Sequence, residues 1–228
     1  MPINKKKTLL VILARKGSKR IKNKNIKRFN GKPLVVWTIE QALRFDNSNI
    51  QVLLSSDCEE TLKISQKYKK ILTLKRPKRL ANSNTTAVEV LKHLINTLKF
   101  SGHIILLQPT SPLRLDQDIK KVLSFLKKIK SPIISVSKFV HDSSLITKAN
   151  KKQKFMPLSN QKYNLYYPNG AIFAAHSEWL KINSSFYDKK TFLYIMPEER
   201  SIDIDYEYQF IMAEALIKRR LMVDNSEL

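Results

Sequence analysis

The stretch TLLVILARKGSKRIKNKN, residues 8–25, has the form of a buried first strand that runs into a basic loop. Its apolar half is rich in Leu, Val and Ile, which favour strands. Its second half interleaves cations, among them Arg15, Lys19 and Lys24, with one glycine and one serine. Guanidinium and ammonium groups are suited to phosphate oxygens. We therefore predict a phosphate-binding loop, with a merely exposed basic loop as the alternative.

The composition limits the class of protein but does not identify what the protein binds. The chain has 228 residues, of which 43% are hydrophobic, enough for one domain with a sizeable core. Its formal charge of +23 would attract nucleic acid, anionic membranes or small acidic substrates. Cys58 is the only cysteine, which excludes an intrachain disulfide and favours a reducing cytoplasm. No stretch reaches the roughly 18 consecutive apolar residues of a membrane span.

Short apolar runs alternate with amphipathic stretches of helical length, which is typical of a parallel sheet covered by helices on both faces. Strands are predicted at Leu9–Leu13, Gln51–Ser55, Ile71–Leu74, Ile104–Gln108, Ile133–Ser137, Ala171–Ala174 and Phe192–Met196. Helices are predicted at Leu34–Phe45, Glu59–Tyr68, Ala87–Phe100, Asp116–Ile129 and Tyr206–Arg220. Pro33 opens the first helix, and Asp57 is predicted to cap the second.

No linker divides the chain, so we predict a single α/β domain over residues 1–228. Residues 139–167 are polar and lysine-rich, and they lack clear periodicity. This segment is therefore predicted to leave the core as an excursion. A lid and a dimerisation arm are the two interpretations of it.

Polar and charged residues follow most of the predicted strands. In doubly wound sheets, ligands bind beyond the carboxyl ends of the strands, so these residues are expected to converge. In QPTSPLR, residues 108–114, two prolines stiffen the turn and fix the direction of Gln108, Thr110 and Ser111. Such a turn can aim an amide at a substrate hydroxyl. A purely structural turn between strand and helix is the alternative.

The segment SIDID, residues 201–205, places Asp203 and Asp205 on the same side of an extended chain. Mg²⁺ prefers a few carboxylates together with substrate phosphates, so the pair is a candidate magnesium site. The alternative is that Asp205 caps the final helix and Asp203 pairs with a lysine. The four histidines lack the spacing of metal ligands, and the aromatic residues do not match a nucleic-acid-binding module.

Seven motifs occur in one order along the chain: LARKGSKR…KN, GKPLVVWTI, SSDCEE, RPKRLA, ILLQPTSPLR, PNGAIF and ERSIDID. Together, from about Leu9 to Arg219, they resemble the CMP-sialic acid synthetases, the N-acylneuraminate cytidylyltransferase family. The resemblance implies a Rossmann-like, nucleotide-diphospho-sugar-transferase-like fold with three layers and a mixed, mainly parallel sheet. It also implies a cytoplasmic homodimer in which the excursion contacts the partner subunit.

The activity implied by the resemblance is a Mg²⁺-dependent cytidylyl transfer. The anomeric hydroxyl of an acidic keto-sugar attacks the α-phosphorus of CTP, giving a CMP-sugar and pyrophosphate. Sialic, legionaminic and pseudaminic acids are all compatible with the motifs. Neither nucleic acid nor a membrane is expected as a partner.

The resemblance also assigns residues to roles. Nucleotide-binding positions are Ala14, Arg15, Ser18, Lys19, Lys24, Asn25, Arg76, Thr85 and Thr86. Catalytic positions are Arg15 and Lys24, which stabilise charge, Gln108, which orients the sugar, and Asp205, the more direct ligand of a metal bound with Asp203. Substrate-binding positions are Gln108, Ser111, Lys162, Tyr167 and Asn169.

Two departures from the family pattern stand out. Lys16 replaces the first glycine of the family's usual loop, and Tyr167 stands where an arginine often precedes the NGA motif. Recognition of the sugar carboxylate is therefore assigned to Lys162 or another cation. Two other functions fit the same residues: transfer of another nucleotide to a sugar phosphate, or electrostatic binding of nucleic acid or an anionic surface. The last would weaken steeply with salt and need no Mg²⁺.

Overall fold

A computed structural model describes residues 7–140, 146–149, 155–157 and 164–226 of the chain. The strands, in chain order, are β1 Thr8–Leu13, β2 Arg28–Phe29, β3 Lys32–Pro33, β4 Ile50–Ser56, β5 Ile71–Lys75, β6 His103–Leu107, β7 Ile133–Lys138, β8 Thr147–Ala149, β9 Phe155–Pro157, β10 Tyr166–His176 and β11 Phe192–Ile195. The helices are α1 Leu34–Leu43, α2 Glu59–Gln66, α3 Ala87–Leu98, α4 Asp116–Leu126, α5 Ser177–Ile182 and α6 Glu207–Ser226.

Seven strands form one mixed sheet in the order β11-β7-β10-β6-β1-β4-β5. Strand β1 lies between β4 and β6 and runs parallel to both, and β5 continues the parallel run. Strand β10 is antiparallel to its neighbours β6 and β7, whereas β11 is parallel to β7. The short pairs β2–β3 and β8–β9 form separate two-stranded sheets. The expected mixed, mainly parallel sheet is confirmed.

Helices cover both faces of this sheet because its strands are apolar on both sides. In β1, Leu10 and Ile12 pack into a cluster with residues of α1, α2 and α4. The alternate residues Leu9 and Val11 pack on the other face with residues of α3 and α5. A third cluster forms where Phe210 and other residues of α6 pack around the β2–β3 hairpin and the start of α1. The predicted three-layer α/β fold is therefore confirmed.

Several details of the fold differ from the sequence-based expectation. Strand β10 begins at Tyr166, five residues before the predicted Ala171, because the sequence PNG at residues 168–170 interrupts the strand signal of the two tyrosines before it. A register shift between Pro168 and Phe173 separates this first part from the buried part. Tyr166 and Tyr167 thus belong to the sheet, although they fall inside the predicted excursion 139–167. Helix α5 was not predicted at all.

The prediction that Asp57 caps α2 is wrong. The residue at the cap position is Cys58, and no side-chain hydrogen bond caps that helix. The Asp57 carboxylate instead accepts a hydrogen bond from the backbone N–H of Lys16, in the loop after β1. Tertiary contact with a neighbouring loop has therefore replaced the local contact that the sequence suggested.

Candidate active site

A cavity of about 460 Å³ opens at the carboxyl-terminal edge of the parallel strands. The segments after β1, β5 and β6 line it, together with the start of α3 and the segment before α6. This is the edge at which ligands bind in open α/β sheets. We call residues 14–25 the basic loop and residues 203–205 the carboxylate wall. These two segments contribute the charged residues that line the cavity, except for Arg76.

The basic loop is attached to the end of β4 through its own backbone. The N–H of Ala14 donates to the carbonyl of Ser55, and the carbonyl of Ala14 accepts from the hydroxyl of Ser56 at 2.6 Å. The N–H of Lys16 donates to Oδ1 of Asp57 at 2.8 Å. Because these anchors use backbone atoms of the loop, its cationic side chains are not needed to attach it and are left to face the cavity or solvent.

Two guanidinium groups meet at one side of the cavity. Arg15 donates from Nη1 to the carbonyl of Asn82 at 3.0 Å, and its own carbonyl accepts from the side-chain amide of Asn25. Arg76 is buried and donates from Nη2 to the carbonyl of Ser55. Burial, and in addition the nearby charge of Arg15, lowers the pKa of Arg76 to about 10. An anion between the two groups would offset this repulsion.

A turn before α3 completes this side of the cavity. The side-chain oxygen of Asn82 accepts hydrogen bonds from the backbone N–H groups of Asn84 and Thr85. Thr86 then caps α3 in a capping box with Glu89, in which each side chain bonds the backbone of the other residue. Both threonines line the cavity, so the cap fixes the position of this lining segment.

The carboxylate wall is pinned against neighbouring backbone. The N–H of Ile204 donates to the carbonyl of Thr110 at 2.8 Å. Asp203 lies directly over Gly170, where an added Cβ would be 2.5 Å from Oδ2 and the backbone has a φ of +72°. Burial raises the pKa of Asp203, and the charge of Asp205 adds to this, although the Thr110 hydroxyl bonds the carboxylate and opposes the shift. Only glycine at position 170 allows the carboxylate to lie so close to the chain.

Two cations of the basic loop reach across the cavity to the carboxylate wall. Lys24 donates from Nζ to Oδ1 of Asp205 at 3.0 Å and to the carbonyl of Ile204. Arg20 donates from Nη1 to Oδ2 of Asp205 at 2.7 Å, and its guanidinium lies 4.7 Å from the centre of the Tyr206 ring. Both oxygens of Asp205 therefore carry a cationic partner.

The structure brings together eleven of the residues that the sequence singled out. The lining includes Arg15, Ser18, Lys19, Lys24, Asn25, Arg76, Thr85, Thr86, Gln108, Asp203 and Asp205. Ala14, Ser111, Tyr167 and Asn169 do not line it. Lys162 lies outside the described residues.

The four residues outside the lining have different surroundings. Ala14 and Ser111 are fully buried, and within the described chain the Ser111 hydroxyl has no hydrogen-bond partner. Tyr167 is exposed on β10, opposite Ser137 of β7. The roles assigned to these residues from the sequence stay predictions.

Asn169 is enclosed by the protein. Its amide nitrogen donates to the hydroxyls of Ser137 and Ser201, and its oxygen accepts from the hydroxyl of Ser135 at 2.6 Å. It is 1% exposed and directly precedes Gly170. The structure thus places the amide behind the carboxylate wall rather than in the cavity.

Several lining residues were assigned no binding or catalytic role from the sequence, notably Arg20, Asn82, Ser83 and Thr110. Arg20 was one more cation in a basic loop, and nothing local distinguishes it from Lys22. Asn82 and Ser83 lie in the polar segment just before the predicted helix Ala87–Phe100. Thr110 was given a fixed direction by its neighbouring prolines, but its partner Asp203 is 93 residues away in the chain.

Comparison with known proteins gives the same family as the motifs. A family model described as cytidylyltransferase matches residues 9–222. An N-acylneuraminate cytidylyltransferase of Escherichia coli O18:K1:H7 is 30% identical over 94% of this chain and 53% of its own length. A pseudaminic acid cytidylyltransferase of Campylobacter jejuni is 29% identical over 93% of this chain and 97% of its own length. The chain thus spans about half the length of the first of these relatives.

Solved structures show the same fold at low sequence identity. A CMP:2-keto-3-deoxy-manno-octonic acid synthetase complexed with CTP superimposes with a TM-score of 0.68 at 15% identity, covering 94% of this chain and 99% of that one. A 4-diphosphocytidyl-2C-methyl-D-erythritol synthase from Anaerococcus prevotii gives a TM-score of 0.69, also at 15% identity, over 95% of this chain and 98% of that one.

Proposed function

The chain belongs to the cytidylyltransferase family, and on that premise we propose that it transfers the cytidylyl group of CTP to an acidic keto-sugar. The products are a CMP-sugar and pyrophosphate. The acceptor class is the nonulosonic acids, because relatives along most of the chain are named for N-acylneuraminate, pseudaminic acid and N,N'-diacetyllegionaminic acid. The sequence resemblance to this family is thereby confirmed, while the choice of sugar belongs to the proposal.

The observation that carries the proposal is the distribution of charge around the cavity. Within the part of the chain that the structure describes, its lining holds five cationic side chains, Arg15, Lys19, Arg20, Lys24 and Arg76, and two carboxylates, Asp203 and Asp205. A surplus of cations suits a triphosphate, and carboxylates on the facing wall suit a divalent cation. Strong electrostatic stabilisation of a phosphorus-centred transition state needs such fixed charges.

Named residues then take roles in the transfer. Arg15 and Arg76 lie where they can hold phosphate oxygens, and Lys24 stabilises the charge that develops as pyrophosphate leaves. Gln108 lines the cavity, and we assign its side-chain amide to the acceptor sugar. The protein's task is placement of the two substrates and stabilisation of charge.

The two carboxylates fit a magnesium ion. Within the described residues there is no group of three or more His, Cys, Asp or Glu side chains that could hold a metal alone. Mg²⁺ does not need such a group, because it takes one or two carboxylates and completes its shell with phosphates and water. Burial raises the pKa of Asp203, and a nearby cation would favour its ionised form. Bound at Asp203 and Asp205, the ion would neutralise phosphate charge and lower the pKa of a coordinated sugar hydroxyl.

The remaining expectations enter the proposal with Tyr166 and Tyr167 assigned to β10. We propose a cytoplasmic homodimer in which the rest of the predicted excursion at residues 139–167 contacts the partner, with neither nucleic acid nor membrane as a ligand. None of the helices in the described residues is long and apolar enough to cross a bilayer. The further alternatives, another nucleotide donor and a purely electrostatic binder, become outcomes of the test below.

The test is a pyrophosphate-release assay with CTP, Mg²⁺ and a panel of sialic, legionaminic and pseudaminic acids. We expect release only when CTP, the ion and one acid of the panel are all present, and we expect Asp205→Ala to abolish it. Replacing CTP by ATP, GTP or UTP controls for another donor. Release with a different nucleotide and a sugar phosphate would contradict the proposal, as would full turnover in Asp205→Ala. Tight binding of nucleic acid without turnover would favour the electrostatic binder.

A further inference from the structure

The two cations that hold Asp205 are not equivalent. The side chain of Lys24 is 12% exposed, and its ammonium also donates to the backbone carbonyl of Ile204. The side chain of Arg20 is 53% exposed, and its further contact is with the face of the Tyr206 ring. A half-exposed ion pair on a long side chain is weakly held, because solvent screens it and ordering the side chain costs entropy. Arg20 is therefore the cation that can leave.

Asp205 would keep its position if Arg20 left. The backbone N–H of Asp205 donates to the side-chain oxygen of Gln209 at 2.7 Å. The preceding residue, Ile204, is bonded through its own N–H to Thr110. The main chain at Asp205 is thus held without Arg20, and Lys24 still bonds Oδ1 of its carboxylate. The Arg20 guanidinium is held only by its contacts with Asp205 and the Tyr206 ring.

Arg20 also lines the cavity, on the same wall as Arg15 and Lys19. A triphosphate bound by those side chains would bring several negative charges within reach of the guanidinium. Phosphate oxygens and Oδ2 of Asp205 would then compete for one cation, since both are anionic acceptors in the same cavity.

We propose that Arg20 couples nucleotide binding to metal binding by exchanging Asp205 for the triphosphate. Without nucleotide, Arg20 occupies Oδ2 of Asp205 and disfavours a divalent cation there. When a nucleoside triphosphate enters, Arg20 turns to its phosphates and the carboxylate oxygen becomes available to the ion. Each ligand then raises the affinity for the other by the same factor. This inference rests on the proposed function, to which it adds a residue that favours binding the nucleotide and the ion together.

The experiment measures ion binding in the absence of nucleotide and turnover. Nucleotide-free protein is titrated with Mn²⁺, and the free ion is followed by electron paramagnetic resonance. We expect Arg20→Ala to raise the Mn²⁺ affinity about fivefold, the upper range for an exposed ion pair. In a second titration without metal, we expect the same variant to bind CTP more weakly. These opposite signs exclude a residue that only maintains the fold, because its removal would weaken both ligands. The Asp205→Asn background described below distinguishes an exchanging residue from a fixed nearby charge.

Three variants control the measurement. Lys22→Ala removes an exposed cation of the same loop that does not line the cavity, and it should change neither affinity. In an Asp205→Asn background, Arg20→Ala should no longer change the Mn²⁺ affinity, because the shared carboxylate is gone. Arg20→Gln retains most of the side-chain length without the charge and should act like Arg20→Ala. Circular dichroism verifies the fold of each.

An Mn²⁺ affinity that is unchanged, weaker or undetectable in both Arg20 variants overturns the proposal. So does a CTP affinity that rises in them. The proposed function fails separately, through the absence of pyrophosphate release with every acid of the panel, since the Mn²⁺ titration needs no sugar. Restoring arginine at position 20 should return both the Mn²⁺ and the CTP affinity to their wild-type values.

Discussion

The basic loop and the carboxylate wall face each other across one cavity, and they are built in opposite ways. The loop is anchored by its backbone to β4, and its cations, with the exception of the half-buried Arg15 and Lys24, are substantially open to solvent. The wall is pinned through its backbone on Thr110, and the Asp203 carboxylate is packed against Gly170, so that the wall's backbone and this carboxylate have little freedom. Phosphate chains are long, flexible ligands that tolerate mobile partners, whereas a metal and an attacking hydroxyl need fixed geometry. The contrast suggests that several side chains of the basic loop share the binding of the phosphates, whereas the carboxylate wall aligns the metal and the attacking hydroxyl.

The largest expected effect concerns Arg15, the loop cation that we propose holds the triphosphate. Arg15→Ala should lower kcat by about 10²–10³-fold, equivalent to ~3 kcal/mol, because it removes a preorganised charge from the leaving pyrophosphate. Steady-state pyrophosphate release measures this. Lys16→Ala is the matched control, since Lys16 is exposed and does not line the cavity. Equal losses in both variants would mean that total loop charge, rather than position, supports the reaction.

One glycine in each segment, Gly170 beside Asp203 and Gly17 in the basic loop, allows the rigidity of the two segments to be compared directly. Gly170→Ala should lower turnover by about 100-fold, because its Cβ would displace the Asp203 carboxylate by roughly an ångström. The positive φ adds about 1–3 kcal/mol of destabilisation. Gly17→Ala in the basic loop should leave turnover and melting temperature nearly unchanged, since nothing lies within 4 Å of the added atom. Similar tolerance at both positions would show that the wall is as adaptable as the loop.

Asn169, which lies behind the carboxylate wall, is expected to contribute to the stability of the folded protein. Asn169→Ala should lower the free energy of unfolding by about 1–3 kcal/mol, because it leaves the buried hydroxyls of Ser135, Ser137 and Ser201 without their amide partner. Urea denaturation gives this value. In the same variant we expect the KM for CTP to stay within about twofold of the wild-type value, because Asn169 does not line the cavity. A large rise in KM with intact stability would instead place the amide on a substrate.

The smallest effect is expected at the anchor of the loop. Asp57→Ala removes the acceptor for the N–H of Lys16, a single hydrogen bond worth about 1 kcal/mol. We expect the KM for CTP to rise about fivefold while kcat changes little, because the loop becomes less ordered but keeps its charges. Isothermal titration with CTP checks the affinity independently. A lower kcat with unchanged CTP affinity would contradict this picture of the loop.

Much of this architecture could be predicted from the sequence, since buried strands such as β1 and β4 are continuous apolar runs with polar residues just after them. The lining of the cavity followed from that rule and from the seven motifs. What escaped depends on contacts between distant segments. The antiparallel start of β10 at Tyr166 is exposed. The Asp57 side chain bonds a loop 41 residues away in the chain. Arg20 bonds Asp205, which is 185 residues away. Local propensity carries no information about such pairs.

The attachment of the basic loop through backbone atoms has a practical consequence for protein engineering. Residues 16–19 can be randomised without deleting any main-chain donor or acceptor that fastens the loop to β4, provided that proline is excluded at position 16. A library confined to these four positions would therefore sample new phosphate-contacting surfaces on an unchanged scaffold. Selecting such a library for pyrophosphate release from CTP would show how far recognition of the triphosphate resides in these side chains.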